Sequence, residues 1–495
     1  MPVYISTRNK ENFVSAHEAV IRGLSQDGGL FVPESVDAVL DPSVLASGDY
    51  RTIAEAVISV FFDDLSKDDI HACVYGAYDT KFDTPEIVPL RRMSDGWLMD
   101  LWHGPTSAFK DLALTILPRF MSCAYDLDDC RDTISILTAT SGDTGKAALS
   151  GFADVPHTAV TVFYPEDGVS EVQKLQMQTA AGNNVCVIAV KGNFDDCQRM
   201  VKEASVSETV RNAAKGVRVS SANSINIGRL VPQIVYYFSS YAKLVQQNAV
   251  KAGEPVNFVV PTGNFGDILA GYYARRIGLP VKHLICASNR NNVLSDFLET
   301  GTYDIRRPFY TTMSPSMDII VSSNLERLLF EESGHDDALV RDLMRSLSEN
   351  GSFTIPADMK NSISSLFKGY WCSEEDCAEE IRSLYEREHL LIDPHTAIAL
   401  NGMHKHIRST GDDTPCIVLS TASAFKFPQD VYRCLTGETC SDGFEAMQKL
   451  SSLTGEPVPP GLAQLKDLPV RFTESIRKED GIERIRQRME EIANG

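Results

Sequence analysis

The sequence lacks the features that mark several classes of protein. No run of apolar residues reaches the roughly 18 needed to span a membrane, and residues 1–21 carry Arg8, Lys10 and Glu11 where a signal peptide would be apolar. The 11 cysteines are an odd number, and no two of them are separated by two residues, so neither structural zinc nor a disulfide framework is expected. These absences favour a cytoplasmic protein with reduced thiols, no membrane partner and no metal.

Basic residues are also scarce, because 47 lysines and arginines stand against 67 aspartates and glutamates, a net charge of −20. Such an acidic chain repels polyphosphate, so nucleic acid is not an expected partner, and an anionic small molecule needs a local group of donors. Hydrophobic residues make up 43% and charged residues 23%, proportions typical of a globular protein. The 495 residues suffice for about three domain-sized units.

Short apolar runs alternate with amphipathic, helix-length segments from about residue 130, a pattern typical of an α/β protein with a mainly parallel sheet covered by helices. The predicted strands are Thr133–Ala139, Ala159–Tyr164, Val185–Val190, Phe258–Pro261, Leu284–Ala287 and Cys416–Leu419. The first 95 residues read as a separate unit, with predicted helices at Ser15–Leu24 and Thr52–Phe61. Residues 289–408 are predicted to be largely helical, and a charged helix is expected from about Glu474, beyond the Pro/Gly linker 455–461.

The motif HGPTSAFKD, residues 103–111, places a lysine just after a Gly-Pro turn. Lys110 falls near the start of the helical pattern Phe109–Leu117, where the positive end of the helix dipole lowers the pKa of an amine. This setting suits a nucleophilic amine. Taken alone, the motif fits an exposed structural lysine better.

The motif TATSGDTGKAAL, residues 138–149, runs from a strand through a turn into an Ala-rich helix. Free amides and hydroxyls at a helix N-terminus suit a carboxylate or phosphate, although a plain tight turn explains the motif as well. A P-loop is excluded, because Thr140 stands where that loop needs glycine and Ala147 where it needs a hydroxyl.

The motif FVVPTGNFGDILAGYYA, residues 258–274, is the better phosphate cradle. Gly263 and Gly266 let the backbone approach an oxyanion at the start of a helix, although a structural turn is the alternative. The glycine spacing does not match a dinucleotide fingerprint. The similar segment KGNFDDCQ, residues 191–198, has aspartates that would repel phosphate, and it is predicted to be a helix cap.

A fourth motif, CIVLSTASAFKFP, residues 416–428, is a buried strand that ends in hydroxyl residues. Strand carboxyl ends face the ligand crevice in open α/β sheets, so Thr421 and Lys426 are candidates. Simple capping of the sheet edge explains the hydroxyls equally well.

Together these segments resemble the threonine synthase family, enzymes of fold type II that use pyridoxal 5′-phosphate. The resemblance runs almost end to end. It also includes GLSQDGGLFVP (23–33), NSINIGRLVPQIVYYF (223–238), SPSMDI (314–319) and DPHTAIAL (393–400). Its implied reaction is that of a lyase in threonine biosynthesis, the conversion of O-phospho-L-homoserine and water to L-threonine and phosphate.

The resemblance implies a tryptophan synthase beta-like fold with an extra N-terminal domain at residues 1–95. The cofactor-binding core would span residues 96–430, with a small subdomain at about 115–225, and a C-terminal region would span 431–495. The implied partner is a small-molecule substrate, and the chain would be a monomer or homodimer.

The resemblance also implies roles for individual residues. Lys110 would form the Schiff base with the cofactor, and Thr421 would face the pyridine nitrogen. The cofactor phosphate would be held by Gly263, Asn264, Phe265 and Gly266, with Asp267 opening the next helix. The substrate carboxylate and the cofactor edge would be surrounded by Ser141, Gly142, Asp143, Thr144 and Gly145. Donors for the substrate phosphate, in no order, would be Lys146, Asn223, Ser224, Arg229 and Lys426.

Two alternatives stay open. Another fold type II enzyme, such as a threonine or serine dehydratase or a sulfhydrylase, shares the cofactor but lacks GLSQDGGLFVP and the context of HGPTSAFKD. A non-catalytic threonine synthase-like binding protein would not require Lys110 and both phosphate segments. Related fold type II enzymes often carry asparagine where this chain has Asp143, so a contact between that carboxylate and the phenolic oxygen of the cofactor would bring two charges together.

Overall fold

The computed structural model describes residues 3–36, 38–42, 48–127, 131–140, 142–167 and 169–494. In these ranges the strands are β1 (Tyr4–Ser6), β2 (Asn9–Val14), β3 (Phe31–Pro33), β4 (Leu90–Arg92), β5 (Trp97–Asp100), β6 (Thr133–Ala139), β7 (Thr158–Pro165), β8 (Val185–Lys191), β9 (Val217–Ser220), β10 (Val256–Pro261), β11 (Val281–Ser288), β12 (Thr302–Asp304), β13 (Ser352–Thr354), β14 (Phe367–Trp371), β15 (Cys416–Ser420) and β16 (Ser475–Arg477).

The α-helices in the same ranges are α1 (Ala16–Arg22), α2 (Tyr50–Phe61), α3 (Lys67–Ala77), α4 (Lys110–Leu114), α5 (Leu117–Leu127), α6 (Asp143–Phe152), α7 (Glu171–Gln178), α8 (Phe194–Val206), α9 (Glu208–Arg211), α10 (Ile227–Gln246), α11 (Gly266–Arg276), α12 (Val293–Thr300), α13 (Leu325–Glu332), α14 (Asp337–Asn350), α15 (Ala357–Leu366), α16 (Glu374–Glu388), α17 (Pro394–Thr410), α18 (Pro428–Thr436), α19 (Gly443–Thr454), α20 (Pro460–Ala463) and α21 (Gly481–Asn494). None of the described helices is long and apolar enough to cross a bilayer.

The N-terminal residues form a small antiparallel sheet in the order β2-β1-β3, followed by α2 and α3. Asp49 and Ser66 cap these helices, each side chain accepting an amide hydrogen bond from the first turn. The apolar stripe of α2 is buried against α10 in a cluster that continues into both larger sheets. This unit therefore shares its core with the rest of the chain.

Two parallel sheets carry the remainder of the fold. The larger has the order β14-β11-β10-β15-β5-β4 and is parallel except for the β4–β5 pair; the smaller has the order β16-β8-β7-β6-β9 and is parallel throughout. Residues of β7, β10 and β15 are buried along their whole length, as expected for strands covered by helices on both faces. The α/β prediction is confirmed, and each predicted strand is found within three residues of its predicted ends.

Two local predictions were wrong. The C-terminal helix begins at Gly481 rather than near Glu474, because Ser475–Arg477 instead pairs in parallel with β8 as the edge strand β16. The helix predicted at Phe109–Leu117 is divided into α4 and α5, and Pro118 lies in the first turn of α5, where its missing N–H costs no hydrogen bond. The region 289–408 is largely helical, as predicted, and it also contains the short strands β12 and β13 and the edge strand β14, which pairs with β11.

The segment KGNFDDCQ caps a helix, as predicted. The side chain of Asn193 accepts from the amide of Asp196 at the start of α8, and the Asp196 carboxylate accepts from the amide of Asn193 in return. This reciprocal cap occupies the donors that an anion would need, so the segment is a structural turn.

Candidate active site

A cleft of about 1860 Å³ is lined by residues from both larger sheets. Its wall includes residues that directly follow β6, β9, β10 and β15, together with the start of α4. Ligands of open parallel sheets bind outside the carboxyl ends of the strands. The sequence motifs that end these strands are therefore brought to the position where a ligand is expected.

Lys110 is the first residue of α4, and its side chain is only 11% exposed. Its Nζ lies 3.6 Å from Oδ2 of Asp143 and 4.8 Å from the centre of the Phe109 ring. Burial lowers the pKa of Lys110, and although Asp143 opposes that shift, the nearby cations Lys426 and Arg229 reinforce it. Lys110 is thus not an exposed structural lysine. It is a largely buried amine, and its lowered pKa increases the fraction in the neutral, nucleophilic form.

The loop between β10 and α11 presents unused backbone donors. In the described part of the chain, the amides of residues 263–267 donate no hydrogen bond to any protein group. Phe265 has a left-handed backbone, with φ of 63°, and its buried ring packs near Phe367, 5.6 Å between ring centres. This conformation is costly for a residue other than glycine and is held here by packing. The loop forms an anion cradle at a helix N-terminus.

The carbonyl groups of the same loop accept hydrogen bonds from residues 322 and 324. Oγ of Ser322 donates to the carbonyl oxygen of Gly263 at 2.8 Å, and both the amide and Nδ2 of Asn324 donate to that of Asn264 at 3.0 Å. A Cβ at Gly263 would lie 3.0 Å from the carbonyl oxygen of Ser316. Close packing on the carbonyl side leaves the amides as the accessible groups.

Asp143 lies at the centre of a buried polar network. Its Oδ1 accepts from Nζ of Lys426 at 2.8 Å and from Nε2 of Gln173 at 3.2 Å, while Oδ2 accepts from Oγ of Ser316 at 3.3 Å. Burial raises the pKa of this carboxyl, but Lys426 and Lys110 outweigh burial and hold the pKa well below its ordinary value. Asp143 is therefore a carboxylate at neutral pH.

Arg229 is a buried cation on the wall of the cleft, in the first turn of α10. Its Nη1 donates to the carbonyl oxygen of Ala222 at 2.8 Å, whereas its Nε is buried without a partner among the described residues. Burial lowers the pKa of Arg229 to about 10, so the guanidinium stays charged at neutral pH. Asn223 and Ser224 line the cleft beside it. This group of donors suits a second anion.

One threonine and one aspartate complete the wall of the cleft. Thr421 directly follows β15, is buried, and lines the cleft. Asp267 accepts from the hydroxyls of Tyr236 and Tyr237 at 2.5 and 3.1 Å, and its Oδ2 is buried without a described partner. Burial raises the pKa of Asp267 to about 7.

The structure brings most of the predicted site residues together. Those lining the cleft are Lys110, Asp143, Thr144, Asn223, Ser224, Arg229, Gly263, Asn264, Phe265, Gly266, Asp267 and Thr421. Gly142, Gly145, Lys146 and Lys426 are not on its wall. Ser141 lies outside the described residues.

The predicted residues that are off the wall have other surroundings. Gly142 has φ of 142°, and a Cβ there would meet the Gln173 side chain at 2.4 Å. Burial lowers the pKa of Lys146 to about 8, an effect that Asp111 opposes. Nζ of Lys426 donates to the carbonyl oxygen of Thr106 at 2.8 Å in addition to its bond with Asp143.

Several residues of the site carried no predicted role. Ser316 and His395 lie in SPSMDI and DPHTAIAL, segments that contributed to the family resemblance but were assigned no role. Gln173 lies in no motif that the sequence analysis identified. The amide of Ser316 donates to Nε2 of His395 at 3.2 Å, so Nδ1 of that ring carries the proton and donates to Asp393 at 2.5 Å. These contacts join distant parts of the chain, which no local motif reveals.

Comparison with known families agrees with this geometry. The family described as pyridoxal-phosphate dependent enzyme matches residues 80–421, threonine synthase N terminus matches residues 3–78, and threonine synthase, C-terminal matches residues 396–486. Threonine synthase of Pseudomonas aeruginosa is 36% identical over 466 residues, covering 92% of this chain and 96% of that protein. Threonine synthase-like 1 of Homo sapiens is 38% identical over 468 residues, and this chain spans 60% of its length.

Solved structures show the same similarity. The crystal structure of threonine synthase from yeast superposes with a TM-score of 0.88 at 32% identity, covering 100% of this chain and 99% of that one. The structure of PLP bound threonine synthase from Brucella melitensis superposes with a TM-score of 0.87 at 35% identity, covering 98% of this chain and 99% of that one.

Proposed function

The chain belongs to the threonine synthase family of fold type II pyridoxal-phosphate dependent enzymes, and from this premise we propose that it converts O-phospho-L-homoserine and water to L-threonine and phosphate. It would be a carbon–oxygen lyase acting on phosphate. The observation that carries the proposal is that one cleft is lined by the largely buried Lys110, by a cradle of unused amides and by a second cationic group. Location in the cytoplasm and a monomeric or homodimeric state remain predictions.

The residues of this chain fit pyridoxal 5′-phosphate, the cofactor of the family. The free amides of residues 263–267 at the N-terminus of α11 suit its phosphate, and Lys110 supplies the amine that would hold its aldehyde carbon. Thr421 supplies an uncharged hydroxyl that would lie against the ring nitrogen. Unlike a carboxylate, this hydroxyl would not stabilise a proton on that nitrogen. The bound cofactor supplies an electron sink for carbanions formed on the amino acid.

Lys110 has two tasks in the proposed reaction. Its Nζ would hold the cofactor in the resting enzyme and, once displaced by the substrate amine, would take the proton from the substrate α-carbon. Burial and the neighbouring cations lower the pKa of Lys110, which raises the fraction of amine able to accept that proton. A base of this kind must lie within hydrogen-bond reach of the proton that it takes.

The substrate brings two anionic groups that need separate donors. Thr144 and the amides at the start of α6 are our candidates for the carboxylate. Arg229, with an unsatisfied buried Nε, is our first candidate for the phosphate that departs. A guanidinium stabilises developing phosphate charge best where water is excluded.

The proposal is tested with purified holoenzyme and O-phospho-L-homoserine. We expect equal amounts of phosphate and threonine, and a visible absorption band that disappears on borohydride reduction. Dehydration of threonine much faster than threonine formation would identify another fold type II lyase. Cofactor binding with no turnover of the phosphorylated substrate would identify a binding protein, a result that the similarity to threonine synthase-like 1 makes worth seeking.

A further inference from the structure

Asp143 is a buried carboxylate in contact with two lysines. Nζ of Lys426 lies 2.8 Å from Oδ1 of Asp143, and Nζ of Lys110 lies 3.6 Å from Oδ2. One carboxylate is thus shared between two ammonium groups. The two ammonium groups differ, however, because Lys110 lines the cleft and Lys426 does not.

Lys426 is anchored on the protein side of Asp143. It ends the 3₁₀ turn Ala424–Lys426, its side chain is 1% exposed, and its Nζ also donates to the carbonyl oxygen of Thr106 at 2.8 Å. The carboxylate of Asp111 fixes Thr106 in turn, accepting from its amide at 2.7 Å and from its hydroxyl at 2.6 Å. A lysine held in this way directs its charge at Asp143 rather than into the cleft.

We propose that Lys426 is a positioning residue, whose ammonium group neutralises and orients Asp143 and thereby sets the charge state of Lys110, rather than a donor to the substrate phosphate. Asp143 and Lys426 form an ion pair at 2.8 Å and together carry no net charge, so little negative charge is left to act on Nζ of Lys110. Without Lys426, an uncompensated carboxylate would face Nζ of Lys110 and stabilise its protonated form. This role of Lys426 concerns the charge of Lys110 in the protein itself. It rests on the proposed function only in those experiments that use the absorption of bound cofactor to follow that charge.

Other charged groups face this pair and stay in place when Lys426 is changed. Arg229 on α10 and Asp267 on α11 act on Lys110 with opposite signs. Asp111 on α4 and Lys146 on α6 face Lys426. The ring of His395 on α17 lies near Asp143 and is uncharged, because its Nε2 accepts a hydrogen bond. Because these groups are common to wild type and variant, a difference in the titration of Lys110 reports the removal of the Lys426 charge.

The test compares Lys426→Met and Lys426→Arg with wild-type holoenzyme. For Lys426→Met we expect the pH midpoint of the visible absorption to rise by about one unit, the scale of an unbalanced neighbouring charge. At neutral pH kcat should fall about tenfold, while KM for O-phospho-L-homoserine changes less than about threefold. Lys426→Arg should restore the midpoint.

A matched control removes a lysine from an ion pair of the same length elsewhere. Nζ of Lys282 lies 2.8 Å from Oδ1 of Asp412, away from the wall of the cleft. Lys282→Met should leave the midpoint unchanged. The double variant Lys426→Met with Asp143→Asn removes both charges and should return the midpoint to near that of wild type. Because it leaves no unpaired buried carboxylate, it can also be measured if the single variant is unstable.

A rise in KM of tenfold or more with an unmoved midpoint would overturn the proposal and make Lys426 a phosphate donor. The same question can be asked without cofactor, by following carbamylation of Lys110 by cyanate against pH in the apo-protein. We expect the pKa of Lys110 from that titration to be higher in Lys426→Met, and an equal or lower value would refute the inference. If wild-type protein showed no cofactor absorption, the proposed function would fail while this titration would still decide the role of Lys426.

Discussion

Asp267→Asn tests how the phosphate cradle accommodates a buried acid. Asp267 lies in the first turn of α11 and is the last residue of the run of free amides, 263–267. Tyr236 and Tyr237 donate to Oδ1, and Oδ2 is buried without a described partner, so a proton on the group would reside on Oδ2. Burial raises the pKa of Asp267 to about 7, although both tyrosines and Lys110 favour the ionised form. The group therefore titrates in the range where enzymes work.

The magnitude follows from linkage. A bound phosphate adds negative charge beside Asp267 and should raise its pKa by about one further unit. Because the complex then has the higher pKa, binding is strongest below about pH 7 and weakens as pH rises through that value. One unit corresponds to about 1.4 kcal/mol, or tenfold in the cofactor Kd. Asparagine at position 267 cannot ionise, so Asp267→Asn should abolish this pH-dependent change in cofactor affinity.

The assay is equilibrium titration of the apo-protein with pyridoxal phosphate between about pH 6 and pH 9, in wild type and in Asp267→Asn. The ratio of the two Kd values cancels titration of the cofactor and of Lys110. We expect the wild-type to variant ratio to increase about tenfold across this range. A ratio that does not change with pH would refute the reasoning.

Two further predictions concern stability. His404 is held between Asp95 and Glu380 at 2.9 Å each, and although burial opposes it, these bonds raise the pKa of His404 to about 9. The resulting stability, up to about 3 kcal/mol, should be fully present below pH 6.5 and lost as pH rises through about 9, and His404→Gln should remove this dependence in urea unfolding. Gly151→Ala would place a Cβ 1.9 Å from the carbonyl oxygen of Leu114, and the clash should cost about 3 kcal/mol, read as a lower urea midpoint. An unchanged midpoint would show that α6 and α4 separate freely.

Six of the eleven described strands of the two larger sheets could be predicted, because strands that are buried in a parallel sheet are continuous apolar runs. β6, residues Thr133–Ala139, lies where it was expected, and β10 gains only two residues at its start. The edge strand β16 could not be predicted in this way. It has three residues, and it is placed by pairing with β8 and by packing of Ile476 into a distant cluster.

The site could be predicted only in part, for a similar reason. The cradle at Gly263–Gly266 is a local motif, since a strand, a glycine pair and a helix follow one another in the chain. The surroundings of Lys110 and Asp143 depend on residues from five separate segments. A lysine after a strand gives no sign that it will turn inward, so Lys426 was grouped with the substrate donors, whereas the structure pairs it with Asp143.

The most direct test of the site is to locate the covalent bond to the cofactor. Holoenzyme reduced with borohydride and digested should yield one peptide carrying the pyridoxyl phosphate mass, attached to Lys110, and Lys110→Ala should lose the visible band and at least about a thousandfold in turnover, about 4 kcal/mol. Attachment at Lys146 or Lys426, or no attachment at any lysine, would contradict the assignment.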